Sequence, residues 1–442
     1  MQRVRMSLPY YAASGWEAVV LTVGSAWQDG VLEPELLETL PPDARIVSTR
    51  ALPQRWSRWL GVGNIGWRAW PFLFWRGIRL LRRGQFDLVF FSNTQFLTFT
   101  LGPIWKRWFG VPYVLDVQDP WRTNYYERPG SRRPPGGWKY QFARLVAWLF
   151  EGWCFRGSGA VMSVSPDYLA DLRARYPGLA SVPTAVISFG ASRGDLKHAL
   201  RDNVAQTDHP NVARASLPVV VNATGLKPVP QLIHFVYTGA SGPVMPHALI
   251  VLFTGLRLYR EKHPERAARL RFAFVGTSYA APGRGQPSVL PVAVDCGVGD
   301  LVTEIPHRIG FLEALRQQQG ADALLLLGSS DLAYSPSKVY LYYLAGRPIL
   351  GLVFRESVME RLLDELQCAV VVRFSENMPK DNAYAGLERF FDLAIERFPS
   401  GTLPARNDAY FDAHYLAEQL TRQQCDLFDA ATECPRPEGP TA

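Results

Sequence analysis

Cysteine is scarce in this chain. Its five cysteines, Cys154, Cys296, Cys368, Cys425 and Cys434, are scattered over 442 residues with no CxxC spacing. That excludes a disulfide framework and a cysteine zinc site, and it fits a reducing cytosol. No apolar run reaches the ~18 residues that a spanning helix needs. The opening MQRVRMSLPYYAASGWE has basic residues but not the clean apolar stretch of a secretory signal. Acidic residues are missing from 50–83, a stretch with eight arginines. Tryptophan is missing beyond Trp153: all 13 lie between Trp16 and Trp153.

What is present is globular. Hydrophobic residues make up 48% and charged residues 20%, enough to bury a core. The length predicts two domains. The net charge of +7 is unevenly spread: residues 1–190 hold 22 Lys+Arg against 13 Asp+Glu, and the remainder 25 against 27. The two halves therefore face different surroundings.

In the first half, short β-branched runs predict buried strands at 18–23, 86–91, 111–117, 159–164 and 182–188. Helical stretches lie between them, around 139–153 and 166–175. Alternating strand and helix means a parallel sheet covered on both faces. A doubly wound sheet opens with a strand, a glycine-rich turn and a helix. Here Gly15-Trp16-Glu17 reads as the end of that helix, so the first strand is expected upstream of residue 1.

Residues 50–83 interleave their arginines with Trp56, Trp59, Trp67, Trp70 and Trp75. Arginine and tryptophan together suit a lipid interface, and this stretch is expected to face a membrane surface. Nucleic acid is not expected as a partner, because no recognisable binding motif accompanies the basic charge. Gly61-Val-Gly63-Asn-Ile-Gly66 spells a dinucleotide fingerprint without the preceding strand the motif needs, and it reads as a loop. Asp119, in Val114-Leu-Asp116-Val-Gln-Asp119-Pro-Trp121, falls just past a strand's carboxyl end, where open α/β sheets place ligand groups. A turn aspartate before proline is the plainer explanation.

The second half repeats the alternation, with strands at 233–238, 270–275, 321–327 and 348–354. Residues 280–288 form a Gly/Pro-rich loop. In Ser335-Pro-Ser-Lys338-Val-Tyr-Leu-Tyr-Tyr-Leu-Ala-Gly346-Arg-Pro348, Ser335 suits an N-cap, Pro336 the first helical position and Gly346 the C-terminal cap. A short helix then starts at the end of the strand 321–327. Helix amides, the dipole and Lys338 make that start an anion site. A capped structural helix with a surface lysine is the other reading.

Asp119-Pro-Trp121 resembles the D-x-R-D-P-W segment of family 4-type glycosyltransferases. Ser337-Lys338-Val-Tyr with Leu344-Ala-Gly346-Arg-Pro348 resembles their S-K-x-Y-E-Y-L-A-x-G-x-P segment. Ile187-Ser-Phe-Gly190 and Tyr237-Thr-Gly239 are similar to their domain-closing and domain-opening turns. The resemblance spans nearly the whole chain. It implies the GT-B architecture, an α/β fold of two Rossmann-like doubly wound parallel-sheet domains: 1–190 on the acceptor side, a connector at 191–231, a nucleotide-sugar domain at 232–404, a C-terminal helix at 405–433 packing back, and a disordered tail at 434–442.

The resemblance further implies a retaining transfer from a nucleotide diphosphate sugar, with no cofactor and no metal, and no DxD motif stands where the donor would bind. Ser337 and Lys338 would hold the diphosphate, Gly239 and Gly276 would let the backbone approach the donor, and Ile305 and His307 would border the nucleobase. Asp119 would lie by the reacting sugar or acceptor. Two positions depart from the family: its ribose-binding glutamate falls at Leu341, and its arginine beside the aspartate is Gln118. The resulting expectation is a cytoplasmic enzyme, peripheral on the inner membrane face, building a polysaccharide or glycolipid on a glycan or lipid-linked acceptor. A non-catalytic relative that binds a partner or glycan at the membrane is the alternative. A nucleotide-sugar epimerase is a third reading, which the Arg/Trp surface disfavours.

Overall fold

The computed structural model describes residues 2–28, 32–55, 63–122, 137–205, 231–241, 245–280, 283–329, 332, 337–375, 380–398 and 405–433. Trp56, Trp59, Gly61, Ser335, Pro336, most of the 191–231 stretch and the 434–442 tail lie outside them. The described chain divides into two compact units. Residues 2–28, 40–189 and 417–433 form the first; residues 32–39 and those between 190 and 416 form the second.

The first unit opens with helix α1 (Gln2–Ser7) and a parallel pair, β1 (Val19–Val23) and β2 (Arg45–Thr49). Helix α2 (Ile65–Arg83) starts where the Asn64 side chain accepts the Gly66 N–H at 2.7 Å, satisfying one of the helix's orphan donors. A separate four-stranded parallel sheet follows, with β3 (Val89–Ser92), β4 (Tyr113–Val117), β5 (Ala160–Ser163) and β6 (Thr184–Val186) in sequence order. Helices α3 (Leu101–Phe109), α4 (Trp138–Arg156) and α5 (Pro166–Arg175) connect its strands. All of β4 and β5 is buried, as expected for parallel strands covered on both faces. Phe91, Phe99, Trp105, Tyr113 and Phe155 pack on one side of the sheet.

The second unit begins with α6 (Arg193–Ala205), so part of the stretch read as a connector is helical. The sequence hides this helix because it is mostly polar; Ala199 packs inward with Leu312 and Leu315, and the other buried side chain among its described residues is the charged Asp195. Then come β7 (Ile233–Thr238), α7 (Pro246–Lys262), β8 (Leu270–Val275), α8 (Leu290–Asp295), β9 (Val302–Ile305), α9 (Phe311–Gln319), β10 (Ala323–Leu327), α10 (Lys338–Ala345), β11 (Ile349–Phe354), α11 (Val358–Leu366), β12 (Ala369–Phe374), α12 (Lys380–Arg397) and α13 (Asp408–Tyr415). The sheet order is β12-β11-β10-β7-β8-β9, all parallel. This is the doubly wound order, whose direction reverses between β7 and β10, and ligands bind outside the strand ends at such a switch point. Phe235, Phe272, Phe390 and Phe391 anchor its core, each worth roughly 1.5–3 kcal/mol of burial.

Residues 32–39, which the sequence places in the first domain, pack into the second unit. Glu33 accepts the Phe311 N–H at the start of α9, Glu35 pairs with Arg316 at 3.0 Å, and Leu36 joins the Leu312 cluster. The last helix, α14 (Ala417–Glu433), packs in the first unit against α1 and the central sheet strands. There Gln424 bonds Ser7 and Tyr11, and Phe428 meets Trp16 edge-on.

Candidate functional site

In the second unit the candidate residues gather at the switch point. β7 ends in Gly239 and β8 in Gly276, at φ +109° and +75°. Both values lie where a Cβ is strained, so glycine is what allows these turns. The turns lie side by side: a Cβ on Gly276 would sit 3.8 Å from the Gly239 nitrogen, and one on Gly239 would sit 3.2 Å from Lys338 Nζ. Gly276 N donates to Ile305 O at 2.9 Å, which brings the end of β9 to the same place.

Lys338 is the first residue of α10, with Ser337 at the N-cap and no side chain capping the start. Its Nζ donates to Tyr237 Oη at 2.6 Å and lies 3.9 Å from the centre of that ring. Tyr237 Oη in turn donates to Ala240 O at 3.0 Å. Among the described residues no carboxylate pairs with the ammonium, and burial pushes its pKa down to about 7, because a low dielectric disfavours the charged form. The helix is fixed from behind: Tyr342 Oη accepts the Thr238 N–H at 2.9 Å, and Gln318 Nε2 donates to Thr238 Oγ1 at 2.9 Å. Gly239, Gly276, Ile305, Ser337 and Lys338 thus share one strand-end region.

His307 follows on the same rim. Gly285 lies flat on it: a Cβ there would come within 2.6 Å of the Pro306 carbonyl carbon and 2.8 Å of His307 N. Ser278 Oγ donates to Pro306 O at 2.6 Å. Glu304, one residue before Ile305, accepts the Ser288, Val289 and Leu290 N–H groups and so organises the start of α8. Leu341 packs with Leu36 and Phe311 against Ala199, Leu312 and Leu315. A residue in that apolar cluster holds no hydroxyl.

In the first unit, Asp119 follows β4 at the surface. Partial burial of its carboxyl raises its pKa above the ordinary aspartate value. The turn after it is clamped. The Trp121 ring stacks on Phe96 at 5.6 Å. Buried Glu151 accepts the Arg122 N–H at 3.1 Å, Arg175 at 2.7 Å and Tyr176 Oη at 2.8 Å.

Sequence reasoning missed the group beneath. Asp116 is fully buried, and its Oδ2 takes Arg3 Nε at 2.9 Å, Ser92 Oγ at 2.7 Å and Gln118 Nε2 at 2.6 Å. Arg3 also donates to the Ile187 and Ser188 carbonyls. Where the resemblance expects an arginine at 118, the positive charge comes from Arg3 instead. The only sequence signal was a charged residue inside an apolar strand.

Residues 2–190 match the description of the glycosyl transferase 4-like domain. Solved structures with the same fold include sucrose-phosphate synthase from Thermosynechococcus elongatus, at 14% identity and TM-score 0.57 over 96% of this chain and 92% of that one. WaaG, a glycosyltransferase involved in lipopolysaccharide biosynthesis, matches at 12% identity and TM-score 0.54 over 97% and 95%. Anabaena HepE, in complex with UDP-glucose, matches at 13% identity and TM-score 0.50 over 94% and 100%. No curated protein sequence matches the chain.

Proposed function

We propose that this chain moves a sugar from a nucleotide diphosphate sugar to a glycan or lipid-linked acceptor; the match of residues 2–190 to the glycosyl transferase 4-like domain and the GT-B fold shared with solved glycosyltransferases support this reading. The observation that carries this reading is Lys338. Its ammonium, with no carboxylate partner among the described residues, stands at the start of a helix, beside the Gly239 turn, at the sheet's switch point. A diphosphate there would meet backbone N–H groups and one positive charge. In this reading these groups carry the leaving charge.

In this reading Ser337 and Lys338 hold the diphosphate, and Gly239 and Gly276 admit the donor. Ile305 and His307 line the base. Asp119 serves the acceptor or reacting sugar, and its raised pKa suits proton transfer. Transfer is retaining and needs no cofactor. The enzyme works at the inner face of the cytoplasmic membrane, in cell-envelope polysaccharide or glycolipid synthesis. The Arg/Trp-rich 50–83 segment supports that location. No helix among the described residues is long and apolar enough to cross a membrane.

Titration calorimetry with UDP, GDP and ADP tests the reading. One nucleotide binds, and Lys338→Ala weakens it about 10- to 100-fold, the loss expected for a charge-assisted contact of ~1.5–3 kcal/mol. Binding of none, or equal binding by the variant, rejects it. The second reading, a non-catalytic relative, is favoured by Leu341, whose place in an apolar cluster leaves the ribose without the family's glutamate. Nucleotide binding without hydrolysis or transfer of any UDP-sugar would select it.

A further inference from the structure

Helix α4 carries two opposite apolar faces. Val146, Ala147, Cys154 and Phe155 point into the first unit's core. Trp138, Phe142, Leu145, Trp148, Leu149 and Trp153 are 41–65% exposed. Phe142, Leu145, Leu149 and Trp153 follow helical spacing, so the exposed residues form a stripe along the helix. The stripe continues onto its neighbours. Trp67 of α2 meets Phe142 at 5.7 Å, and Phe74 of α2 contacts both Trp75 and Trp108 of α3 at 5.2 and 5.6 Å. Trp75 and Trp108 are 64% and 55% exposed. Soluble monomers rarely show so much contiguous aromatic surface without a partner for it.

The charge around the stripe identifies the partner. Arg79, Arg82, Arg83, Arg107, Lys139 and Arg144 are all exposed. The only acid in α2, α3 and α4 is Glu151, which is buried and spoken for by Arg175. A second copy of this face would set cation against cation. An anionic bilayer supplies negative headgroups for the arginines and an interface where tryptophan is favoured. With one side of α4 held in the core, the helix can lie in the plane of the membrane but cannot span it.

We infer that the exposed face of α4, extended by Trp75 and Trp108, is the surface on which this protein docks to an anionic lipid bilayer. The sequence points to residues 50–83 for this role. In the structure Trp67 and Trp70 are partly buried, with Trp70 Nε1 bonded to Thr100, and Arg68 is buried against the Leu52 and Trp27 carbonyls. Of the described tryptophans in that segment, Trp75 is the exposed one, and most of the surface lies on α4.

The inference rests on the membrane-facing part of the proposed function. Nucleotide binding is a separate measurement, so the two can fail independently. The test is flotation of the full chain with vesicles of phosphatidylcholine alone or with about a third phosphatidylglycerol. The parent floats with the anionic vesicles and is released by high salt. The Leu145→Glu/Leu149→Glu variant partitions about tenfold or more weakly and binds UDP as the parent does. Ile250→Glu, an equivalent change on exposed α7 of the other unit, floats like the parent. Quenching of parent tryptophan fluorescence by brominated acyl chains decides the matter if the double variant misfolds. Failure to bind anionic vesicles, binding that ignores the double variant, absence of quenching, or a dimer that the double variant dissociates would each overturn the inference.

Discussion

At the scale of single residues, Lys338 and Asp116 handle buried charge in opposite ways. Among the described residues Lys338 meets a tyrosine hydroxyl and ring and no carboxylate, and burial holds it at about 7. A diphosphate alongside favours the ammonium and raises that value. Above pH 7, then, the free protein is largely neutral at this position and the complex is charged. Binding must take up a proton, and affinity falls as pH rises, by up to about tenfold per unit. Calorimetry with UDP between about pH 7.5 and 9, where the nucleotide's own phosphate is already ionised, measures this. The uptake disappears in Lys338→Ala, and a flat pH profile in the parent would dissociate the lysine from the phosphate. Asp116, by contrast, has a counter-charge: its Oδ2 faces the Arg3 guanidinium. Arg3→Met leaves its carboxylate buried and uncompensated, and is expected to cost about 3–5 kcal/mol of stability. Arg3→Met combined with Asp116→Leu should recover much of that in urea unfolding. Neither partner was legible in the sequence: Arg3 and Asp116 stand 113 positions apart, and only folding shows that one answers the other.

At the scale of elements, every interior strand could be read, as could the edge strands β1, β3 and β6, and the misses are all at edges. β4, β5, β7, β8, β10 and β11 are short apolar runs buried on both faces, and each was predicted. The three strands that the sequence reading passes over, β2, β9 and β12, each stand at the edge of a sheet. Edge strands bury less; the RIVST of β2 is nowhere fully buried. The existence of α10 and its stop at Gly346 were legible, but its N-cap is Ser337 and not Ser335, the residue read from the sequence. The far side of α10 was not legible, because Leu341 packs against Ala199, Leu312 and Leu315, residues from distant segments. That packing yields a test. Leu341→Glu restores the family residue but puts a carboxylate against the apolar Ala199, Leu312 and Leu315 cluster. It should lower stability by roughly 1–3 kcal/mol without tightening UDP. A tighter-binding variant of unchanged stability would show that residue 341 faces the nucleotide after all. Glu33→Ala, removing the cap on α9, should cost about 0.5–2 kcal/mol by thermal denaturation.

At the scale of the molecule, the two units bury separate cores, and the donor-binding residues argued above belong to one of them. A ligand stabilises what it binds, by about 2.7 kcal/mol at a hundred times its dissociation constant. Two substitutions can label the units in a calorimetric scan. Leu325→Ala empties a fully buried position in β10 and should lower the melting of the second unit, by about 2–5 kcal/mol. Arg3→Met lowers that of the first. UDP is expected to raise the transition that Leu325→Ala lowers and to leave the Arg3→Met transition where it was. The assignment depends on which label UDP moves, so it holds even if the transitions overlap. Were UDP to raise the transition marked by Arg3, the nucleotide would have to bind in the first unit. The enclosed lysine and its glycine turns would then be a structural packing arrangement and not a phosphate site.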